Sequence, residues 1–90
     1  MLQNLITAFE QARINLRTAE NRLKVDRQTY NSYRRQVQAA GLSEAEQQQY
    51  CASALESVRR GIAAEQQAKT VAQAAYDAIP VSDRPIIDYL

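Results

Sequence analysis

Residues 37–46 read Val-Gln-Ala-Ala-Gly-Leu-Ser-Glu-Ala-Glu, the pattern of one helix that ends and another that begins. Gly41 suits the left-handed residue that follows a helix, and Leu42 is then placed to contact the last turn of that helix. Ser43 and Glu46 have the spacing of a capping box, in which each side chain accepts a hydrogen bond from the other's backbone N–H. These ten residues predict a tight turn between two helices.

The residues before this turn carry an apolar stripe with steps of three and four residues, a period typical of a helix that packs on another helix. Asp26 is the one member that is not apolar. Asn4 or Thr7 would suit a later helix start, but the stripe favours a start at Leu2, and we predict a first helix over residues 2–40. The stripe consists of Leu2, Leu5, Phe9, Ala12, Leu16, Ala19, Leu23, Asp26, Tyr30, Tyr33, Val37 and Ala40.

The predicted second helix, residues 44–79, carries two rows of residues spaced by seven. One row holds only small residues, Ala54, Gly61, Ala68 and Ala75, and the other holds Cys51, Val58, Glu65, Ala72 and Ile79. Small residues let two helix backbones approach closely. Since glycine costs about 1 kcal/mol relative to alanine inside a helix, Gly61 indicates a packing requirement. The alternative is chance spacing in an alanine-rich helix.

These features together predict an all-α fold, a long antiparallel two-helix hairpin resembling a coiled coil, with a turn at residues 41–43 and an extended C-terminal tail at residues 80–90. When the chain is folded about residue 42, large residues of the first helix meet small residues of the second. This register predicts the neighbours Phe9 with Tyr76, Tyr33 with Tyr50 and Cys51, and Asp26 with Val58, Arg59 and Arg60.

The composition offers little for catalysis. The chain has no histidine and a single cysteine, so neither a histidine general base nor an intrachain disulfide is available. No glycine-rich phosphate loop is present. Cys51 lies in a predicted packing row, where a buried structural role is favoured over a reactive thiol. We predict no enzyme activity, no catalytic residue, no cofactor, no metal and no small-molecule substrate.

The net charge of +1 gives no general attraction to nucleic acid or membranes. Between residues 2 and 40, seven basic residues stand against three acidic ones, and between residues 43 and 79 three basic residues stand against five acidic ones. This difference favours pairing of the two helices or packing between copies. The basic residues spread around the first helix, so a nucleic-acid partner is not expected. They include Arg13, Arg17, Lys24, Arg27, Arg34 and Arg35.

The first residues lack the pattern of a signal peptide, and no stretch approaches the ~18 apolar residues of a membrane-spanning helix. Alanine and glutamine also anchor an amphipathic helix poorly at a lipid surface. We therefore expect a cytoplasmic protein without a membrane partner, either free or within an assembled particle.

A charged residue in a packing stripe more often sets register or partner choice than it performs chemistry. We predict that Asp26 pairs with Arg59 or Arg60, or with Arg22 one turn earlier on its own helix. A solvated Asp26, reached through a slight helix rotation, is the alternative. The predicted register-setting residues are Asp26, Arg59, Arg60 and Glu65. An acid/base pair of Asp26 with Glu65 would require a shifted register and is not favoured.

Two groups of apolar residues lie outside the packing rows and are predicted to bind partners. Pro80 ends the second helix, and the tail beyond it is strongly apolar, which would favour aggregation if it were left exposed. The tail residues are Val81, Ile86, Ile87, Tyr89 and Leu90, and the first helix adds Ile14 and Val25. The tail lies on its own hairpin, on another copy or on a different protein.

The leading functional hypothesis is a non-enzymatic structural or adaptor subunit. It would form a homo-oligomer or pack into a larger multiprotein assembly, such as a bacteriophage virion or a secretion machine, with its tail docked on a neighbour. The alternative is a small regulatory or inhibitory protein that binds one target through a helix face.

Overall fold

The computed structural model describes residues 1–87 and consists mainly of two helices, α1 (Leu2–Ala39) and α2 (Glu44–Ala78), packed antiparallel along their length. A short 3₁₀ turn, Val81–Asp83, follows. The molecule is elongated, with extents of 60 × 17 × 14 Å. The predicted all-α hairpin is confirmed. Each helix ends one residue earlier than predicted, because Ala40 and Ile79 are the capping residues.

The turn between the helices has the predicted ending. Gly41 has a φ of +70°, the left-handed conformation that glycine adopts without strain. Its N–H donates to the carbonyl of Gln38 at 3.2 Å, and the N–H of Leu42 donates to the carbonyl of Val37 at 3.3 Å. This pair of bonds is the Schellman motif, which satisfies carbonyls at the end of α1. The side-chain amide of Gln47 donates to the Leu42 carbonyl at 2.8 Å and ties the turn to α2.

The start of α2 carries the predicted capping box. The Ser43 hydroxyl accepts from the Glu46 N–H at 3.3 Å and donates to Glu46 Oε1 at 2.8 Å. The Ser43 N–H also donates to Glu46 Oε1, at 3.3 Å. The hydroxyl and then the backbone N–H of Ser43 hold the pKa of the Glu46 carboxyl below its ordinary value of 4.5, because both bonds favour the ionised form.

The capping box predicts a small stability change in acid. Because the pKa of Glu46 is lower in the folded chain than in the unfolded one, its contribution is fully present above about pH 4.5 and is lost as pH falls through the folded value. Glu46→Gln should therefore lower the thermal midpoint at pH 7 and converge with the wild type in strong acid. Ser43→Ala should cost about 1 kcal/mol at pH 7. Thermal melts between pH 2 and 7 test this, with Glu20→Gln at an exposed position of α1 as control; parallel curves at every pH would contradict it.

The buried rows of the two helices, here called the seam, form the core. α1 contributes Phe9, Ala12, Leu16, Leu23 and Val37, and α2 with its cap contributes Cys51, Ala54, Val58, Gly61, Ala72 and Ile79. A Cβ added at Gly61 would lie 3.0 Å from Leu23 Cδ1. Since this is closer than normal packing, the two helices approach closely at Gly61, where the sequence indicated a packing requirement.

The register agrees with the prediction at both ends of the hairpin. The rings of Phe9 and Tyr76 are 5.2 Å apart near the open end, and those of Tyr33 and Tyr50 are 5.6 Å apart near the turn, in an edge-on arrangement. Such tilted ring pairs are favourable beyond the area that they bury. The aromatic pairs therefore secure the alignment of the two helices at each end.

Candidate functional site: the exposed surfaces of the hairpin

The chain beyond α2 folds back on the helix end through a group of contacts that we call the clasp, formed by Tyr76, Arg84 and Pro85. Arg84 Nε donates to the carbonyl of Ile79 at 2.9 Å, and its Nη2 donates to the carbonyl of Asp77 at 3.0 Å. Carbonyls at a helix end have no partner within the helix, and a cation there is favoured by the helix dipole.

The aromatic ring of Tyr76 completes the clasp. The Arg84 guanidinium lies 5.4 Å from the ring centroid, and the Tyr76 hydroxyl donates to the Pro85 carbonyl at 3.2 Å. Residues 84 and 85 are therefore docked on their own hairpin. Arg84 was not among the predicted site residues. Its position shortly after Pro80, which ends α2, is the signal in the sequence that could have identified it.

The tail residues around the clasp differ in exposure. Val81 lies in the 3₁₀ turn, which was not predicted and forms because the Asp83 N–H donates to the Pro80 carbonyl at 2.8 Å. Val81 is exposed, and Ile86, directly after the clasp, is 100% exposed. Ile87 is half-buried. The predicted partner residues Tyr89 and Leu90 lie outside the described residues.

The predicted partner residues of α1 are single exposed side chains. Ile14 and Val25 are both exposed and lie away from the seam. Ile14 shares a shallow groove with Glu10, Arg13 and Arg17. Isolated surface apolar residues are common in proteins and do not mark a binding site by themselves. Their predicted role in partner binding stays a prediction.

Asp26 is half-buried in a side groove of about 220 Å³ that lies across the middle of the hairpin. Its carboxylate lies beside Gly61, where an added Cβ would be 3.5 Å from Oδ2. The groove is lined by Ala19, Arg22, Asp26, Ser57, Arg60, Gly61 and Ala64. Asp26 therefore occupies the edge of the seam and is accessible from one side of the molecule.

The predicted ion pair of Asp26 is not formed within the hairpin. In residues 1–87 the one ion pair within 4.0 Å joins Arg60 Nε to Glu56 Oε1 at 3.4 Å. Arg60 turns to Glu56 because the two residues are one turn apart on the exposed side of α2. Arg59 and Arg22 are exposed, and Glu65 is half-buried in its seam row. The register-setting role of Asp26, Arg59, Arg60 and Glu65 stays a prediction.

The hairpin has two long sides that flank the seam, and they differ sharply in charge. The charged flank runs along one side of the hairpin. It includes Arg13, whose guanidinium lies 5.6 Å from the centroid of the Phe9 ring, and, near the turn, Arg34 and Gln48, which line the same groove. Five of its ten residues are charged. It consists of Ile6, Arg13, Glu20, Arg27 and Arg34 of α1 and Gln48, Leu55, Ile62, Lys69 and Tyr76 of α2, two rows spaced by seven.

The opposite side, here called the charge-poor flank, contains the mouth of the Asp26 groove, where Arg22, Ser57 and Ala64 lie together. Its two rows are Ala8, Asn15, Arg22, Thr29 and Gln36 of α1 and Tyr50, Ser57, Ala64, Val71 and Ala78 of α2. All ten residues are exposed, and Arg22 is the one charged member. Sequence reasoning missed this flank because its apolar members are mostly small and it carries no motif.

The described residues place few reactive groups together. Within residues 1–87 no three histidine, cysteine or acidic residues lie close enough to hold a metal ion. Cys51 is buried in the seam, as predicted. Neither α1 nor α2 has a stretch that is apolar and long enough to cross a membrane.

Comparisons of this chain with models of known protein families, with curated proteins and with solved structures find no match.

Proposed function

We propose that this chain is a non-enzymatic structural or adaptor subunit that self-associates or packs into a larger multiprotein assembly. The observation that supports this most is the clasp. It anchors residues 84 and 85 on the end of α2 and leaves Ile86 fully exposed immediately afterwards. An anchored segment that presents an apolar side chain is suited to dock on a neighbouring subunit, because part of the ordering cost of binding has already been met.

The shape of the hairpin also supports the proposal. With extents of 60 × 17 × 14 Å, each helix keeps most of its circumference exposed, and two packed helices bury little area relative to their surface. Association adds burial that the hairpin does not provide by itself. In an assembly such as a virion or a secretion machine, the tail would join one elongated subunit to the next.

The proposal predicts that molar mass rises with concentration and that the tail contributes. Light scattering after gel filtration, over a wide concentration range, should show oligomers of the wild-type chain. Ile86→Asp should weaken association about tenfold, since a carboxylate cannot be buried in an apolar contact without cost. Ala63→Asp, an exposed position on α2 away from both the tail and the seam, is the matched control and should leave the mass distribution unchanged.

Two results would overturn the proposal. One is a wild-type chain that stays monomeric at every concentration and forms no stable complex with any other protein. The other is a stable one-to-one complex with a single different protein in the absence of self-association, which is the behaviour of a regulatory or inhibitory protein. An Ile86→Asp chain that assembles as the wild type does would show that the tail takes no part in association.

A further inference from the structure

We propose that the charge-poor flank binds a second copy of this chain about a two-fold axis, so that two hairpins lie side by side with their turns at opposite ends. This inference rests on the proposed self-association and assigns it a surface and a geometry. In a two-fold dimer the same surface is used by both copies, so it has to be complementary to itself.

The flank shares the low charge of an interface core, since such cores are depleted of charged residues. Here one residue in ten is charged, Tyr50 is 53% exposed and Val71 is 47% exposed. A side of the hairpin 60 Å long and 14 Å wide offers roughly 800 Å² per copy, the size of a standard stable interface.

The contacts across the seam show which residues of α2 lie level with the midpoint of Arg22 and Asp26, where the proposal places the two-fold axis. Gly61 packs against Leu23 and Asp26, so residue 24 of α1 lies level with residues 60 and 61 of α2. An axis across the flank at this level exchanges positions 22 and 26 on α1. The same axis exchanges positions 50 and 71 on α2, because these two positions are equally far along the helix from the level of the axis.

This symmetry brings complementary side chains together twice. Arg22 of each copy faces Asp26 of the other, and Tyr50 of each copy faces Val71 of the other. Asp26 is half-buried and forms no ion pair within residues 1–87, so the second copy supplies the cation that its own hairpin does not. Small residues between these points, Ser57 and Ala64, allow the helices to approach closely.

The charge contact makes the dimer testable by exchange. Asp26→Arg alone would place arginine opposite arginine, and Arg22→Asp alone would place aspartate opposite aspartate. The dimer dissociation constant of each variant should therefore be at least about tenfold higher than that of the wild type. An equimolar mixture of the two restores both opposite-charge contacts and should form a heterodimer. The double variant Asp26→Arg/Arg22→Asp should again form a homodimer. Sedimentation velocity measures all four.

A second pair of variants tests the flank without touching the seam. Val71→Arg places a charge on the charge-poor flank and should abolish dimerisation. Ile62→Arg places the same charge on the charged flank, at a residue that is 37% exposed, and should leave dimerisation unchanged. Both are branched aliphatic residues one position from a buried row, so they are closely matched. Far-UV circular dichroism verifies that every variant is helical.

The outcomes separate this inference from the proposed function. A wild-type chain that is monomeric throughout overturns this inference, whereas the proposed function falls only if that chain also joins no larger multiprotein assembly. Two results would show that the wild type associates through a surface other than the charge-poor flank. One is a Val71→Arg chain that still dimerises, and the other is an Ile62→Arg chain whose dimer is weakened as much as that of Val71→Arg. A mixture of the two charge variants that stays monomeric overturns the two-fold geometry. Should the charge variants lose helicity, the Val71 and Ile62 pair still decides the question.

Discussion

Replacing Phe9 by alanine is expected to lower the free energy of unfolding by about 3–5 kcal/mol, the usual cost of truncating a buried aromatic residue. Phe9 is 1% exposed and packs on Tyr76 at a ring distance of 5.2 Å. The truncation therefore removes buried area and an aromatic contact together. A chain of this size has a total stability of about 5–13 kcal/mol, so between a quarter and all of it would be lost.

The Phe9 prediction is tested by urea unfolding at one low protein concentration, because association would otherwise add to the measured stability. Ile14→Ala, an exposed apolar truncation on the same helix, is the control and should change stability by less than about 0.5 kcal/mol. Loss of Phe9 should also loosen the open end of the hairpin, because Tyr76 belongs both to the aromatic pair and to the clasp. Equal effects of the two substitutions would contradict the role assigned to Phe9.

The second large effect is expected at the centre of the seam. Leu23 is 2% exposed, and Leu23→Ala should cost about 2–5 kcal/mol through lost burial and the cavity that remains. Gly61→Ala gains helix propensity of about 1 kcal/mol. In the wild-type background its new Cβ meets Leu23 Cδ1 at 3.0 Å, so repulsion offsets this gain.

The two substitutions should therefore couple. In the Leu23→Ala background the leucine branch is absent, and Gly61→Ala should become clearly stabilising, with an interaction energy of about 1 kcal/mol in a double-mutant cycle. Ala63→Gly, on the exposed side of α2, should cost about 1 kcal/mol in both backgrounds and provides the control. If the effect of Gly61→Ala is the same with and without Leu23, close approach of the helices at this point is not what requires glycine.

Much of the fold follows from local sequence. The turn is predictable because Gly41, Leu42 and Ser43 act through hydrogen bonds to residues within a few positions, which sequence spacing specifies. The register follows from the turn together with the large and small rows, and it places Phe9 beside Tyr76. Helix ends are predicted to within one residue for the same reason.

The exposed surfaces are less predictable. The residue with which Arg60 pairs depends on the rotation of α2. In the described part of the chain Arg60 pairs with Glu56, and Asp26 forms no ion pair. The clasp depends on how the chain leaves α2 through the 3₁₀ turn, a choice of backbone dihedrals that no periodicity encodes. The predicted binding roles of Ile14, Val25 and the tail stay predictions, since exposure alone does not identify a partner.

The sequence by itself determined that this protein is an antiparallel helical hairpin, because helix period, capping and the alternation of large with small residues are all local or nearest-neighbour properties. Only the tertiary structure decided which residues share a side of the hairpin. It divided the surface into a charged flank and a charge-poor flank and placed Asp26 level with the centre of the second. That division depends on how the two packed helices are rotated relative to each other, and this rotation is set by many side-chain contacts along the seam.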